Sequence, residues 1–448
     1  MTQNKQTWEE SKQLTINSKW SNKRYKDALL NTGIPLPENN WSGSDIPVKW
    51  TSDSSYKKPS KGILLTYSFI HKKSKFNYED DRGKIRPAAT FSKQQQRDIS
   101  KLFNLISSYT NIKFKKVKDA NTTGTIRIGF NEITDEQGKW LPGIYATADP
   151  PNPEPRGGDI WFNKNFTHDN FSLGLIQGQE VTPSGVMLHE ILHTLGLEHP
   201  YDNPKRPTPL FAQNREHTLM ADEYLDNQGF IFKGISHGVS STPMAWDIAG
   251  LQHLYGPNKE TNRGKTSYKF SNKKPFYKTI WDASGIDTFD FRNFRRPLKI
   301  DLRAGQISTL SFDVEDQNWA NKKVGNLGIA FGCVIERCIG GHGDDVITGN
   351  VADNILSGNH GNDILFGEEG NDTLIGGRGL DTFKVEAGKG HAVIKDFTDG
   401  EDKIVAPANV NLRAHTKGND VQLFQSNDLI AIVENAAGLI QHAGSTFS

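Results

Sequence analysis

A nine-residue repeat near the C-terminus constrains the fold of this chain more than any other feature. Five successive units begin with glycine and carry an apolar residue at the eighth position. Glycine permits tight, left-handed turns, so we predict a six-residue turn and a three-residue strand in each unit, with the apolar residues stacked inside. A flexible Gly/Asp-rich linker, the alternative, would not need this regular apolar position. The units start at Gly340, Gly349, Gly358, Gly367 and Gly376, and their eighth residues are Ile347, Leu356, Leu365, Leu374 and Phe383.

The sixth position of the repeat offers oxygen ligands that suit calcium. A carboxylate there can share Ca²⁺ with main-chain carbonyl groups, because a hard cation prefers oxygen. Residues 340–405 contain 13 Asp and Glu but only 5 Lys and Arg, so we expect folding of this segment to require calcium. Asn354 replaces one carboxylate and weakens one site by one charge. The predicted calcium residues of the repeats are Asp345, Asp363, Asp372 and Asp381.

A second motif predicts a catalytic zinc site. His189 and His193 are four residues apart in VTPSGVMLHEILHTLGLEHP (181–200), so they project from one face of a helix and can bind one Zn²⁺. Gly196 can adopt a positive φ angle and end the helix, which lets His199 return as a third ligand. Three protein ligands leave the fourth position for water. Glu190 lies beside the metal and suits a general base that later passes its proton to the leaving amine.

Two other interpretations of these histidines remain. They could be surface or helix-capping residues, although the extended H-E-x-x-H-x-x-G-x-x-H spacing makes this remote. The zinc site could also be structural or degenerate. The segment GISHG (234–238) fits a serine-hydrolase pattern, but no strand precedes it and no helix follows it, so we set it aside.

The residues before the repeats are patterned as a mixed α/β domain. Strands are predicted at 63–70, 112–117, 125–130 and 157–163, and a helix at 90–110 begins after Ser92. A later helix is predicted to start at Thr242 and Pro243 and to bury Ile248, Leu251 and Leu254. We therefore expect a leader or prosegment, or alternatively a disordered tail, at 1–40, a zinc metalloprotease domain at 41–256 and a calcium-binding β-roll domain at 257–448, to which the family resemblance described below adds a secretion function.

Composition excludes several classes of protein. The 448 residues have a formal net charge of +1, so no basic excess drives nucleic-acid binding. No run of eighteen apolar residues is present, which excludes a spanning helix. The polar N-terminus lacks the features of an ordinary secretory signal peptide. With two cysteines, Cys333 and Cys338, a disulfide scaffold is excluded, and we expect no essential bond between them because an extended strand would hold them about 17 Å apart.

The motifs together resemble the serralysin family of secreted bacterial metalloproteases, within the metzincins. The resemblance runs from about Trp41 to about residue 405 and includes WSG (41–43), LTYSF (65–69), GGDIWFN (157–163), HEILHTLGLEHP (189–200), TLM (218–220), DIAGLQHLYG (247–256), TIWDASGIDTFDF (279–291), VIERCIGG (334–341) and DFTDGEDKI (396–404). It implies the fold of that family, a zinc-binding catalytic domain followed by an all-β parallel β-roll. It also implies zinc and calcium as cofactors, and broad proteolysis of extracellular proteins.

The resemblance assigns further residues. His189, His193 and His199 match the zinc ligands, Glu190 the base and Met220 the methionine of the turn beneath the metal. GGDIWFN, with Trp161, resembles the edge strand beside the substrate. Additional calcium positions are implied at Asp282, Asp287, Asp396 and Asp402.

One position departs from the family. Serralysins have a tyrosine two residues after the methionine, where its hydroxyl can approach zinc. Here Asp222 occupies that place and Tyr224 follows two residues later. Three alternatives stay open: Tyr224 takes the role after a local shift, the role is lost, or Asp222 is an additional ligand.

The resemblance also implies location and partners. We expect a secreted, monomeric endopeptidase that acts on protein or peptide substrates, leaves through a type I secretion apparatus and meets a small periplasmic inhibitor protein, with no nucleic-acid partner. The competing hypothesis is a secreted calcium-binding adhesion or structural protein with a decayed protease site. A protease inhibitor or toxin component is a third, weaker interpretation.

Overall fold

The computed structural model describes residues 62–76, 78–80, 83–84, 87–119, 125–133, 145–151, 155–164, 183–200, 216–221, 240–315, 325–408, 410–439 and 446–447. The chain divides into two compact units between Asn258 and Lys259. The predicted leader at 1–40 lies outside the described residues. Of the helices that the structure describes, none is long and apolar enough to cross a bilayer.

The first unit is built on a mixed five-stranded sheet. Its strands run in the order β4-β1-β5-β7-β6, and only β6 is antiparallel to its neighbour. A short antiparallel pair, β2 and β3, lies apart from it. The bounds are β1 (Ile63–Phe69), β2 (Glu79–Asp80), β3 (Gly83–Lys84), β4 (Ile112–Lys116), β5 (Ile126–Asn131), β6 (Ala146–Ala148) and β7 (Ile160–Asn163).

The described part of this unit also contains three helices: α1 (Lys93–Tyr109), α2 (Pro183–Thr194) and α3 (Ala245–Tyr255). Ser92 caps α1 as predicted, because its hydroxyl accepts the N–H of Gln95 at 3.2 Å. The α1 face with Ile99, Leu102, Phe103 and Ile106 is fully buried. Helix α2 begins at Pro183, as the sequence indicates, and packs against α1, β6 and β7.

Helix α3 begins two residues later than predicted. Its N-cap is Met244, and Thr242 and Pro243 precede the helix. The cap forms because the Asp247 carboxylate accepts the N–H of Met244 at 2.8 Å, a bond that the Thr-Pro pattern did not reveal. The predicted apolar face, Ile248, Leu251 and Leu254, is buried.

The second unit contains the predicted parallel β-roll. Strands of the repeats alternate between a nine-stranded sheet, β22-β23-β24-β20-β18-β16-β14-β10-β8, and a six-stranded sheet, β11-β15-β17-β19-β21-β25. A separate three-stranded sheet, β12-β13-β9, is formed by strands that precede the repeats in the sequence. The bounds are β8 (Ser267–Lys269), β9 (Lys278–Ile280), β10 (Thr288–Asp290), β11 (Lys299–Asp301), β12 (Ile307–Ser308), β13 (Leu327–Ile329), β14 (Arg337–Ile339), β15 (Val346–Thr348), β16 (Ile355–His360), β17 (Ile364–Phe366), β18 (Asp372–Arg378), β19 (Thr382–Lys384), β20 (Ala392–Ile394), β21 (Lys403–Val405), β22 (Arg413–Lys417), β23 (Asp420–Gln425), β24 (Asp428–Val433) and β25 (Thr446–Phe447).

The register of the roll follows from the nine-residue period. Arg337 pairs with Ile355, and Ile355 with Thr373, so each strand pairs with the second strand after it. Successive turns consequently lie at opposite edges of the roll. The five apolar residues at the eighth positions are fully buried, as predicted, and they form the narrow core between the two sheets.

Candidate active site

Three histidine side chains converge at the end of α2. Gly196 has a φ of 95° and ends the helix, and its N–H donates to the carbonyl of His193 at 2.9 Å. This left-handed turn reverses the chain and brings His199 back to His189 and His193. One ligand nitrogen from each ring lies within 4.8 Å of the other two. The tertiary structure thus brings the predicted zinc ligands together.

Hydrogen bonds orient two of these rings for metal binding. Nδ1 of His189 donates to the carbonyl of Leu219 at 2.9 Å, and Nδ1 of His193 donates to the carbonyl of Leu197 at 2.7 Å. A carbonyl oxygen only accepts, so each Nδ1 carries the hydrogen and each Nε2 keeps a lone pair. A backbone carbonyl on the second ring nitrogen is the usual support of a metal-binding histidine.

The separation of the nitrogens fits one tetrahedral zinc ion. Nε2 of His189 lies 3.2 Å from Nε2 of His199. Two nitrogens bound at about 2.0–2.1 Å to one tetrahedral ion lie about 3.3–3.4 Å apart. The observed separation is close to this value, so the donor set fits zinc.

Glu190 and Met220 are both buried, and their roles as base and as floor of the zinc site stay predictions. Glu190 is 7% exposed, follows His189 in α2 and lies one helical turn from His193. Met220 is fully buried in a turn that also contains Leu219, the residue that holds His189. The turn therefore supports the zinc site directly.

Asp247 was not selected from the sequence, yet it organises this turn. Its carboxylate accepts the N–H of Leu219 at 2.7 Å and the hydroxyl of Thr218 at 2.5 Å. Burial raises the pKa of Asp247 to about 6, against the effect of these hydrogen bonds. An acidic residue in the first turn of a helix is an ordinary cap, so the sequence alone gives it no link to the zinc site.

The prediction that Trp161 lies on the substrate edge strand is wrong. Strand β7, which contains Trp161, pairs with β5 on one side and with the short antiparallel strand β6 on the other, so it is not an edge strand. Trp161 is 8% exposed, and its ring lies 5.7 Å from that of Phe76. Among the described residues, β4 and β6 are the two edge strands of this sheet, and β6 packs against α2.

Several predicted features fall outside the described residues. They include Tyr224 and Asp222, the segment GISHG and the motif that contains Trp41. The alternatives for the role of Tyr224 therefore stay predictions.

The carboxylates of the repeats are buried in the turns of the roll. Burial raises the pKa of Asp345 and of Asp372 to about 7, and that of Asp381 to about 6. Burial, together with repulsion from Asp345 and Asp381, raises the pKa of Asp363 to about 8. Oδ2 of Asp363 is buried and has no hydrogen-bond partner. Buried carboxylates with an unbonded oxygen fit the hard oxygen site that calcium requires.

The additional acidic positions form two groups. Tyr268 donates to Asp282 at 2.7 Å, and burial raises the pKa of the neighbouring Asp287 to about 6. Asp402 is buried and accepts the N–H of Asp381 at 2.9 Å, whereas half-buried Asp396 accepts the N–H groups of Gly376 and Gly377. Asp396 and Asp402 therefore contact the repeat turn 376–381, and calcium binding at all four positions stays a prediction.

Glu336 is an acidic residue that the sequence analysis missed. Its Oε2 accepts the N–H of Asp287 at 2.7 Å, and repulsion from it contributes to the raised pKa of Asp287. Glu336 lies nine residues before Asp345, at the sixth position of a degenerate unit that begins with Phe331 instead of glycine. Extending the period backward would have identified it.

Cys333 and Cys338 are free and buried in this structure, and the absence of an essential disulfide stays a prediction. Cys338 pairs in register with Leu356 and occupies the eighth position of the same degenerate unit. It therefore serves as a small apolar residue of the core.

Three imidazoles at the end of one helix, with an antiparallel edge strand beside that helix, define a zinc peptidase of the metzincin class. Family models agree with this class. The model described as matrixin matches residues 64–228, and the model described as peptidase M10 serralysin C terminal matches residues 247–428.

Curated relatives identify the family. Serralysin of Photorhabdus luminescens is 35% identical over 374 residues, which cover 77% of this chain and 71% of the relative. Serralysin of Proteus mirabilis is 34% identical over 320 residues, 64% of this chain and 60% of the relative. Serralysin B of Dickeya chrysanthemi is 31% identical over 356 residues, 75% of this chain and 66% of the relative. The chain belongs to the serralysin family. It is by class a zinc-dependent metalloendopeptidase with a calcium-binding C-terminal repeat domain.

Proposed function

We propose that the chain is a secreted endopeptidase that hydrolyses peptide bonds of extracellular proteins with broad specificity, and that Glu190 is its general base. The observation that carries the proposal is the convergence of His189, His193 and His199 with their ring orientation set by backbone carbonyls. A zinc ion held by these three residues would supply Lewis-acid catalysis.

Glu190 supplies the proton transfers. Its carboxylate belongs to the same helix as two of the histidines and is largely shielded from bulk water. An oxygen of Glu190 accepts a proton from the attacking water, and the protonated side chain then donates that proton to the amide nitrogen of the leaving group. The net reaction adds one water across one peptide bond.

Strand β6 supplies substrate binding. Asp149 donates to the carbonyl of Asp159, and Asn163 donates to the carbonyl of Tyr145. These bonds occupy odd-numbered residues of the β6 segment, so the N–H and C=O groups of Ala146 and Ala148 point toward the other edge. A substrate strand added there binds through its main chain, which favours extended polypeptides and broad specificity.

Extracellular action is supported by the chemistry of the roll. A bound cation would stabilise its buried carboxylates in the folded state at neutral pH, and extracellular calcium-binding modules operate at about 10⁻⁴–10⁻³ M calcium. We also propose export through a type I secretion apparatus, regulation by a small periplasmic inhibitor and a monomeric state, on the family resemblance alone.

Proteolysis of an unfolded protein tests the proposal. Casein hydrolysis should be lost with a zinc chelator and restored by zinc. Glu190→Gln should lower the rate by about 10²–10⁴-fold while the zinc content stays unchanged. Glu132→Gln is the matched control, because Glu132 is exposed and pairs with Lys164 at the surface. Full activity of Glu190→Gln, or zinc-loaded protein that leaves casein intact, would overturn the proposal.

A further inference from the structure

The repeat unit that begins at Gly349 departs from the pattern of the calcium-binding turns. Asn354 occupies the place of aspartate, and Ala352 the place of glycine. Neither Asn350 nor Ala352 has a positive φ. The preceding turn also lacks positive φ at the same two positions, Gly341 and Gly343. The three following units have positive φ at their second and fourth positions: Asn359, Gly361, Glu368, Gly370, Gly377 and Gly379. The turn 349–354 therefore differs from those three in both sequence and backbone.

Both the oxygen and the nitrogen of the Asn354 side-chain amide make hydrogen bonds. Its Oδ1 accepts the N–H of Asn350 at 2.7 Å. This bond identifies the oxygen, because an N–H donor requires an acceptor. Nδ2 therefore faces the carbonyl oxygens of Ile335 and Glu336, at 3.4 and 3.2 Å. Asn354 is 1% exposed, so these bonds form away from water.

The side-chain amide of Asn350 contacts the same main-chain carbonyl, that of Ile335, as Asn354 does. Its Nδ2 donates to the carbonyl of Ile335 at 2.8 Å and to that of Leu302 at 3.1 Å. Its Oδ1 accepts the N–H of Ala352 at 2.9 Å, which again identifies the oxygen. Both side-chain NH₂ groups thus point at main-chain carbonyl oxygens. Amide hydrogens carry partial positive charge, so they satisfy these oxygens and would repel a cation placed among them.

Asp363 shows the opposite arrangement at the other edge of the roll. It is fully buried, and its Oδ1 accepts the N–H of Asp345 at 2.7 Å. Its Oδ2 has no hydrogen-bond partner. A buried carboxylate oxygen without a donor is costly unless a cation binds it. Asp363 and Asn354 occupy the same position of the repeat. One oxygen of Asp363 has no hydrogen-bond donor, whereas the side-chain amide of Asn354 already bonds to a main-chain N–H and to two carbonyl oxygens.

We propose that the junction between residues 335–336 and the turn 349–354 holds no calcium, and that the side-chain amides of Asn350 and Asn354 replace the cation there. The roll then has one calcium-independent junction, which ties the repeats to Leu302 and Ile335. This proposal does not depend on the proteolytic activity.

Calcium counting tests the proposal in the full chain. Protein is equilibrated at saturating free calcium, and bound calcium per chain is measured by elemental analysis. Asn354→Ala and Asn350→Ala should bind as many calcium ions as the unchanged protein and unfold at a lower temperature. The matched control, Asp363→Ala, should lose at least one calcium ion per chain. A loss of calcium in either asparagine variant would overturn the proposal.

Hydrogen exchange tests it without substitution. Backbone exchange of the segments 349–354 and 358–363 is compared as free calcium is lowered. We expect segment 358–363 to lose protection at a higher calcium concentration than segment 349–354. Loss of protection in both segments at the same calcium concentration would contradict a calcium-independent junction.

Discussion

The carboxylate of Asp247 accepts the main-chain N–H of Leu219 at 2.7 Å. The carbonyl of Leu219 in turn accepts a hydrogen bond from Nδ1 of His189. The main chain of one residue, Leu219, therefore connects a buried carboxylate of α3 with a predicted zinc ligand of α2. We therefore expect Asp247 to position His189 through Leu219.

Removal of the Asp247 carboxylate should weaken zinc binding. Asp247→Ala leaves the N–H groups of Leu219 and Met244 without their acceptor, so we expect zinc affinity to fall about 10–100-fold. Asp247→Asn should retain most of the affinity, because the amide oxygen can still accept both bonds. Competition with a chromophoric chelator measures the zinc Kd.

Asp98→Ala is the control for general destabilisation. Asp98 is buried in α1 and bonds to Lys101 and Gln94, away from the zinc ligands in sequence. We expect this variant to unfold at a lower temperature with its zinc Kd unchanged. An unchanged zinc Kd in Asp247→Ala would show that Asp247 does not position His189.

Proline on the edge strand should impair substrate binding. Ala148→Pro removes an N–H that points away from β7, so the β6–β7 ladder stays intact and a substrate loses one main-chain hydrogen bond. At about 1.4 kcal/mol per tenfold, loss of one such bond should raise KM about tenfold for extended peptides, with little change in kcat.

Thr147→Pro provides the contrast, because Thr147 pairs with Trp161 within the sheet. We expect this variant to lower the stability of the catalytic unit. Steady-state kinetics on a series of peptides, together with thermal unfolding, separates the two effects. Unaltered KM in a folded Ala148→Pro variant would exclude β6 as the binding edge.

The calcium-free roll should become less stable as pH rises. Burial raises the folded-state pKa of Asp345 to about 7 and that of Asp363 to about 8, above the usual value of 3.8. The folded state therefore binds more protons than the unfolded state, and its stability is lost as pH rises from about 4 to about 8. Thermal unfolding in a calcium chelator at several pH values measures this trend.

Calcium binding near pH 7 should release protons from the same carboxylates. Calorimetry in buffers of different ionisation enthalpy counts them. Asp363→Asn should reduce both the proton release and the dependence of stability on pH. Stability that increases with pH in the chelator would contradict the assignment of these carboxylates.

Both cysteines should be unreactive in the folded protein. Burial raises the pKa of Cys333 to about 12 and that of Cys338 well above its usual value, so little thiolate forms at neutral pH. A thiol reagent should label no cysteine in native protein and two after unfolding, and a reductant should leave the unfolding temperature unchanged. Labelling of native Cys338 would show that the core opens locally.

The zinc ligands and the β-roll could be predicted because the patterns that specify them lie within short stretches of the sequence. The spacing of His189 and His193 is set by one helical turn, and the nine-residue period alone sets the alternation of strands between two sheets. The five buried apolar residues of the repeats and the cap at Ser92 follow from the same short-range patterns.

Contacts between distant segments could not be read in this way. The pairing of β6 with β7, the bond between Asp247 and Leu219, and the amides of Asn350 and Asn354 on Ile335 all join residues that carry no shared pattern. Periodicity reports which face of an element is buried, but a hydrogen bond across the fold depends on which groups packing leaves within 3 Å of each other. That distance is a property of the folded chain, and it decides both the edge offered to a substrate and the junction that needs no cation.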